Sequence, residues 1–145
     1  MKDPVFLREK LVGDERPFCQ IVKAGDFLFL TGQTARDQSG NIVGVGDIQE
    51  QARQIFRNIK RILSLVDCDL TSIIRLTSYL VSSMATTEFT NKYWDVRREF
   101  FGNHRPASTG VQVVALMLPE MLIEVDAIAY APQAKIGPEA HILNP

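Results

Sequence analysis

The sequence predicts an α+β domain in which two helices pack on one face of a mixed β-sheet. Two stretches carry apolar residues at helical spacing, Ala52 to Val66 and Phe89 to Phe100, and a run rich in β-branched residues separates them. Strand-like pairs flank both helices, giving the order hairpin, helix, strand, helix, hairpin. At 145 residues this amounts to one domain over residues 1–131 and a tail over 132–145.

Gln20-Ile21-Val22 and Phe27 to Gln33 form the first hairpin, turning through Lys23-Ala24-Gly25-Asp26. Residues 35–46 hold three glycines with Asp37, Ser39 and Asn41, a turn-rich loop with a brief strand at Asn41 to Val43. Its Gly40-x-x-x-Gly44-x-Gly46 spacing lacks the Gly-Lys-Ser/Thr ending of a phosphate loop. Asp47-x-x-Glu50 supplies an N-cap and a capping-box carboxylate for a helix over 48–66. The opposite face of that helix, with Arg53, Arg57, Lys60 and Arg61, reads as a solvated surface.

Leu70 to Val81 reads as a strand, closed by Ser82-Ser83 as a turn or cap. The second helix spans 85–101, with Phe89, Tyr93, Val96 and Phe100 in the core, and stops at Gly102-Asn103. Ser108 to Leu116 and Met121 to Tyr130 read as a closing hairpin across Met117 to Glu120. The residues after Pro132 show no periodicity, so they are either disordered or laid against a neighbouring subunit.

Composition narrows the function. A net charge of −1 gives no positive field to attract nucleic acid or an anionic membrane, so neither is expected as a partner. Cys19 and Cys68 make no paired framework, and His104 and His141 are too few for a histidine-rich metal site. Without a signal-length or membrane-length apolar run, the chain is expected to be cytoplasmic. A domain of this size has little room for a deep private site, which favours a cleft shared between subunits.

Alternation along the last strand places Met121, Ile123, Val125, Ala127 and Ala129 on one face, and Leu122, Glu124, Asp126, Ile128 and Tyr130 on the other. Two carboxylates within an apolar strand must be hydrogen-bonded, paired, hydrated or protonated. They form either a structural pair at a subunit contact or part of a reactive site. His104, beyond the second helix, is either a base or an ordinary loop residue. Neither cysteine has a partner that marks a nucleophile, and no GxSxG elbow is present.

Phe29-Leu30-Thr31-Gly32-Gln33, the Gln51 to Ile59 helix with Asn58, Tyr79-Leu80-Val81, Asn91-x-Tyr93, Arg105-Pro106-Ala107 and Leu122 to Ala129 occur in that order. This pattern resembles the reactive intermediate deaminase (Rid, or YjgF-like) family across residues 15–131. The resemblance implies a chorismate-mutase-like fold, a homotrimer with ligand clefts at its interfaces, and hydrolysis of enamines and imines to ketones and ammonia without metal or organic cofactor. It matches Glu124 to the glutamate that manages water, Thr31 and Gly32 to the pair lining the cleft, and Asn91 to an asparagine of the second helix.

The sequence departs from that family at two places. Where the family carries an arginine for the substrate carboxylate, directly after Pro-Ala, this chain has Ser108, followed by Thr109 and Gly110; and Phe18 replaces a tyrosine. Loss of such a charge-assisted contact removes about 1.5–3 kcal/mol. One reading is a pocket reshaped for an unsaturated amino-dicarboxylate, as in proteins resembling 2-aminomuconate deaminase, with Ser108 and Thr109 offering hydroxyls and Arg105 or Arg36 reaching a remote carboxylate. The other is a trimer that binds a metabolite or partner without catalysis. The family's older endoribonuclease label is the weakest reading on a charge of −1. In the catalytic reading Glu124 is the general acid-base, its pKa raised in a cleft lined by Leu122, Ile128 and Phe18. Thr31, Gly32, Ser108 and Thr109 are candidates to orient the substrate, with local backbone bonding as the alternative use of each hydroxyl.

Overall fold

In a computed structural model, residues 4–8, 16–82 and 86–136 are described. Six strands form one sheet: β1 (Val5–Leu7), β2 (Ile21–Ala24), β3 (Phe27–Gln33), β4 (Ile73–Val81), β5 (Ala107–Val113) and β6 (Ile123–Tyr130). Helices α1 (Ile48–Ser64) and α2 (Thr87–Phe101) pack on one side of it, the mixed α+β arrangement read from the sequence. The β2–β3 hairpin is as expected, with Gly25 at φ +59 supplying the turn.

The sheet order is β1-β2-β3-β6-β4-β5, and only β4 and β5 run parallel. The expected closing hairpin is therefore corrected. β5 leaves α2 and joins the edge beside β4, whereas β6 inserts antiparallel between β3 and β4. A connection long enough to hold α2 lets β4 and β5 lie parallel, and the more apolar β6 takes the centre. Strand β1 is an addition that its three residues were too few to announce.

Other boundaries shift modestly. Leu70–Ser72 is a 3₁₀ turn capped by Asp69, which accepts from Thr71 N–H, so the strand begins at Ile73. Asn41 to Val43 contributes a single bridge, Arg36 to Ile42, in place of a strand. Ser83 and Ala85 lie outside the described residues, as do residues 137–145 with His141. Past residue 131 the described chain still packs on its own core, with Ala134 buried and Ile136 against it.

Asp47 caps α1 by accepting from Gln49 and Glu50 N–H. The reciprocal half of the capping box is absent, because Glu50 pairs with Arg53 and the Asp47 N–H donates to the Gly44 carbonyl. Arg53 also reaches Glu99 at 3.0 Å, tying α1 to α2. Ile48, Ala52, Ile55, Phe56, Ile59, Ile62 and Leu63 are buried against the sheet's helix side, which presents Leu28, Leu30, Ile73, Leu76, Ile123, Val125, Ala127 and Ala129. Neither helix covers the opposite side of the sheet, and among the described residues Phe27, Phe29 and Tyr130 stand there at 41%, 45% and 48% exposure.

Candidate active site

The alternation expected in β6 holds from Ile123 to Tyr130: its helix-side residues are buried, and Glu124 and Asp126 point to the other face; Leu122, expected on the Glu124 face, precedes the strand and is buried in the core instead. Antiparallel register places Tyr79 opposite Glu124 and Thr77 opposite Asp126. The Tyr79 hydroxyl donates to Asp126 Oδ2 at 3.2 Å. Sequence reasoning missed Tyr79 as a member of this group, although the two-residue period of β4 puts it on that face.

Glu124 is half-buried, and its carboxylate has no hydrogen-bond partner among the described residues. Burial, and then the nearby charge of Asp126, push its pKa above the ordinary carboxylate value. Asp126, in turn, is the main reason that the Tyr79 phenol holds its proton more tightly than usual. Gly32 lies beside Glu124, inside a register shift where β3 bulges against β6 between Leu30 and Gln33. A Cβ at Gly32 would collide with Glu124 Oε1 and stand 3.1 Å from its Cδ, so the absence of a side chain is what lets the carboxylate lie there.

Gln51 locks the approach to this strand. It is fully buried at an apolar position of α1; its Nε2 donates to Glu120 O at 2.7 Å and Gly44 O at 3.2 Å, and its Oε1 accepts from Leu122 N–H at 2.9 Å. One side chain thus fixes the entry to β6 two residues before Glu124. A polar residue in the helix's apolar stripe was the available signal. Asn58 plays the same part for the 35–46 loop, donating to Thr34 O and Arg36 O.

The remaining candidates separate. Thr31 gives its hydroxyl proton to Cys19 O at 2.5 Å, so toward a ligand it can offer only lone pairs. Phe18 is 46% exposed, with the Arg16 guanidinium 5.4 Å above its ring. On the edge strand, Thr109 shares its face with Thr77 and accepts from Arg75 at 2.9 Å. Ser108 points to the helix side, where its Oγ accepts from Arg97 Nη1 at 2.7 Å. Asn91 is exposed on α2, with no side-chain hydrogen bond among the described residues. Arg105 closes the end of α2 on the Gly102 and His104 carbonyls, and Arg36 donates to Gly40 O at 2.7 Å; both are held by their own loops.

Glu124 and Gly32 therefore lie on one face of the sheet and Ser108 on the other. Within one chain these residues cannot surround one small molecule. His104 is bound by backbone: its Nε2 meets Ile73 O at 2.6 Å, which makes that nitrogen the donor. Cys19 and Cys68 are buried and free, with burial raising both thiol pKa values, which leaves them poor nucleophiles. No group of three or more metal-ligating side chains occurs among the described residues, and no helix among them is long and apolar enough to cross a membrane.

These features define a small α+β protein with a half-buried carboxyl of raised pKa on a sheet face that the helices leave open. The sequence model of the endoribonuclease L-PSP family matches residues 10–131, and the chain belongs to that family, the Rid or YjgF family. It is 38% identical to a RutC family protein of Pyrococcus horikoshii over 90% of this chain and 98% of that one. It is 28% identical to the human 2-iminobutanoate/2-iminopropanoate deaminase over 86% of this chain and 88% of that one. A crystal structure from Thermotoga maritima superposes with a TM-score of 0.74 at 29% identity, covering 94% of this chain and 100% of that chain.

Proposed function

We propose that the protein hydrolyses an enamine or its imine tautomer to an oxo acid and ammonia, in clefts between the subunits of a homotrimer. The observation that carries this reading is the half-buried Glu124, its pKa raised by burial and by Asp126, packed against Gly32 and without a hydrogen-bond partner among the described residues. A carboxyl whose pKa is raised in this way is suited both to take and to give a proton. The named activity of the human relative supports the reaction class.

In this scheme a proton from solvent adds to the enamine carbon and gives an iminium, whose C2 is electrophilic. Glu124 removes a proton from water as the oxygen bonds to C2, giving a carbinolamine. The protonated Glu124 then delivers that proton to nitrogen; the C–N bond breaks, ammonia departs and the remaining hydroxyl proton is lost as the ketone forms. Thr31 and Gly32 bound the substrate from β3, and Tyr79 with Asp126 keep a second negative charge nearby that favours the protonated form of Glu124.

The separation of Glu124 from Ser108 by the thickness of the sheet supports a shared cleft, because a neighbouring copy is needed to bring an edge strand to the open face. The exposed Phe27, Phe29 and Tyr130 offer the apolar surface for that neighbour. Ser108 in place of a cation on β5 makes an unsaturated amino-dicarboxylate such as 2-aminomuconate a candidate substrate beside a small 2-imino acid. The test is ammonia release from freshly generated 2-aminomuconate and 2-iminobutanoate by the parent and by Glu124→Gln. A parent rate above background that falls about 100-fold or more in the variant supports the reading. Equal rates in the two proteins contradict it, and absence of ammonia with both substrates turns the assignment toward a binding trimer.

A further inference from the structure

The end of α2 forms a shallow groove lined by Trp94, Arg97, Arg98, Phe101, His104, Arg105 and Pro106, a surface with three guanidiniums and no carboxylate among its walls. The cations are not equivalent. Arg98 is neutralised by Asp95 at 2.5 Å, and Arg105 is turned to backbone carbonyls. Arg97 is half-buried; it lies 5.9 Å from the centre of the Tyr93 ring and gives one N–H to Ser108 Oγ, with no ion pair among the described residues. A guanidinium has five N–H donors in a rigid planar fork, so most of Arg97's remain available while the serine bond and the nearby Tyr93 ring hold it in place. Trp94, 48% exposed on the same wall, adds a flat apolar surface beside the charge.

We infer that Arg97, braced by Ser108 and Tyr93, binds the carboxylate of a small, planar, unsaturated or oxo acid in this groove. This rests on the deaminase reading for its place in the reaction: Arg97 holds the acid group while the Glu124 of an adjoining copy acts on the C–N bond. Bidentate recognition of a carboxylate is the task for which an oriented, unpaired guanidinium is suited.

The test has a binding arm and a turnover arm. Titration of the full-length protein with 2-oxobutanoate, followed by calorimetry, is expected to show binding at least tenfold tighter than that of the neutral 2-oxobutanamide. Arg97→Met is expected to weaken 2-oxobutanoate by tenfold or more and to remove the preference over the amide. Arg97→Lys, which keeps the charge but loses the fork, should fall between. Arg57→Met, on the solvated face of α1, serves as the control and should bind as the parent does. An Arg97→Met protein that melts with the parent and binds within twofold of it overturns the inference, as does a parent that fails to prefer the acid. In the turnover arm, mixed oligomers of Arg97→Met and Glu124→Gln should recover activity that neither variant shows alone. Acid binding through Arg97 without any ammonia release would leave this inference standing and defeat the deaminase reading instead.

Discussion

At the residue scale, the chemistry rests on where Glu124 keeps its proton. Its folded pKa is raised, mainly by burial, so the folded state holds that proton more tightly than the unfolded chain does. The stability it contributes is therefore greatest in acid, and is lost as pH rises from the ordinary carboxylate value through the raised one. Glu124→Gln removes that loss. Its melting temperature should exceed the parent's at about pH 8, with the gap closing toward about pH 4, as thermal melts across pH would show. Gly32 is the companion case. Gly32→Ala puts a methyl against the end of a flexible carboxylate, so the side chain shifts and the backbone stays. Turnover should fall by about tenfold or more from misplacement of the reacting group, with little change in melting temperature. A Gly32→Ala protein with parental kcat would show that the close approach has no catalytic meaning.

At the element scale, Gln51 joins α1 to the loop before β6 with three hydrogen bonds inside the protein. Gln51→Leu keeps much of the volume but strands the Glu120 carbonyl and the Leu122 N–H, the Gly44 carbonyl keeping its bond from Asp47 N–H, and should cost about 2–4 kcal/mol in denaturant unfolding. The elements differ in how far the sequence reveals them. α1 and α2 follow from periodicity, and β6 from a strict alternation that also placed Glu124 and Asp126 on the uncovered face. The partner of β5 was not legible. Nearness in sequence suggests a hairpin with β6, whereas the helical connection lets β5 return beside β4. Its small, polar, largely exposed residues suited an edge all along. Gln51 and the buried Ser78–Tyr93 hydrogen bond of 2.6 Å are legible only as polar interruptions of apolar patterns. What they bind is long-range and invisible to local spacing. Arg97 was similarly hidden, because its meaning comes from Ser108 on a different element.

At the scale of the whole molecule, one face of the sheet is sealed by helices and the other presents aromatic rings to solvent. The proposed trimer covers those rings and brings the edge-strand residues of one copy to the Glu124 of the next. Phe29→Asp, a charge placed in that face, should sediment as a folded monomer by analytical ultracentrifugation and lose turnover while retaining its circular dichroism. A parent that itself sediments as a monomer would remove the shared cleft. The central claim is that Glu124 carries hydrolytic deamination, and the most direct measurement is ammonia released from freshly generated 2-aminomuconate and 2-iminobutanoate by parent and Glu124→Gln proteins of equal fold and assembly. Release by the parent is expected, with a rate lower by about 100-fold or more in the variant; release that is undiminished in Glu124→Gln would contradict the role of Glu124.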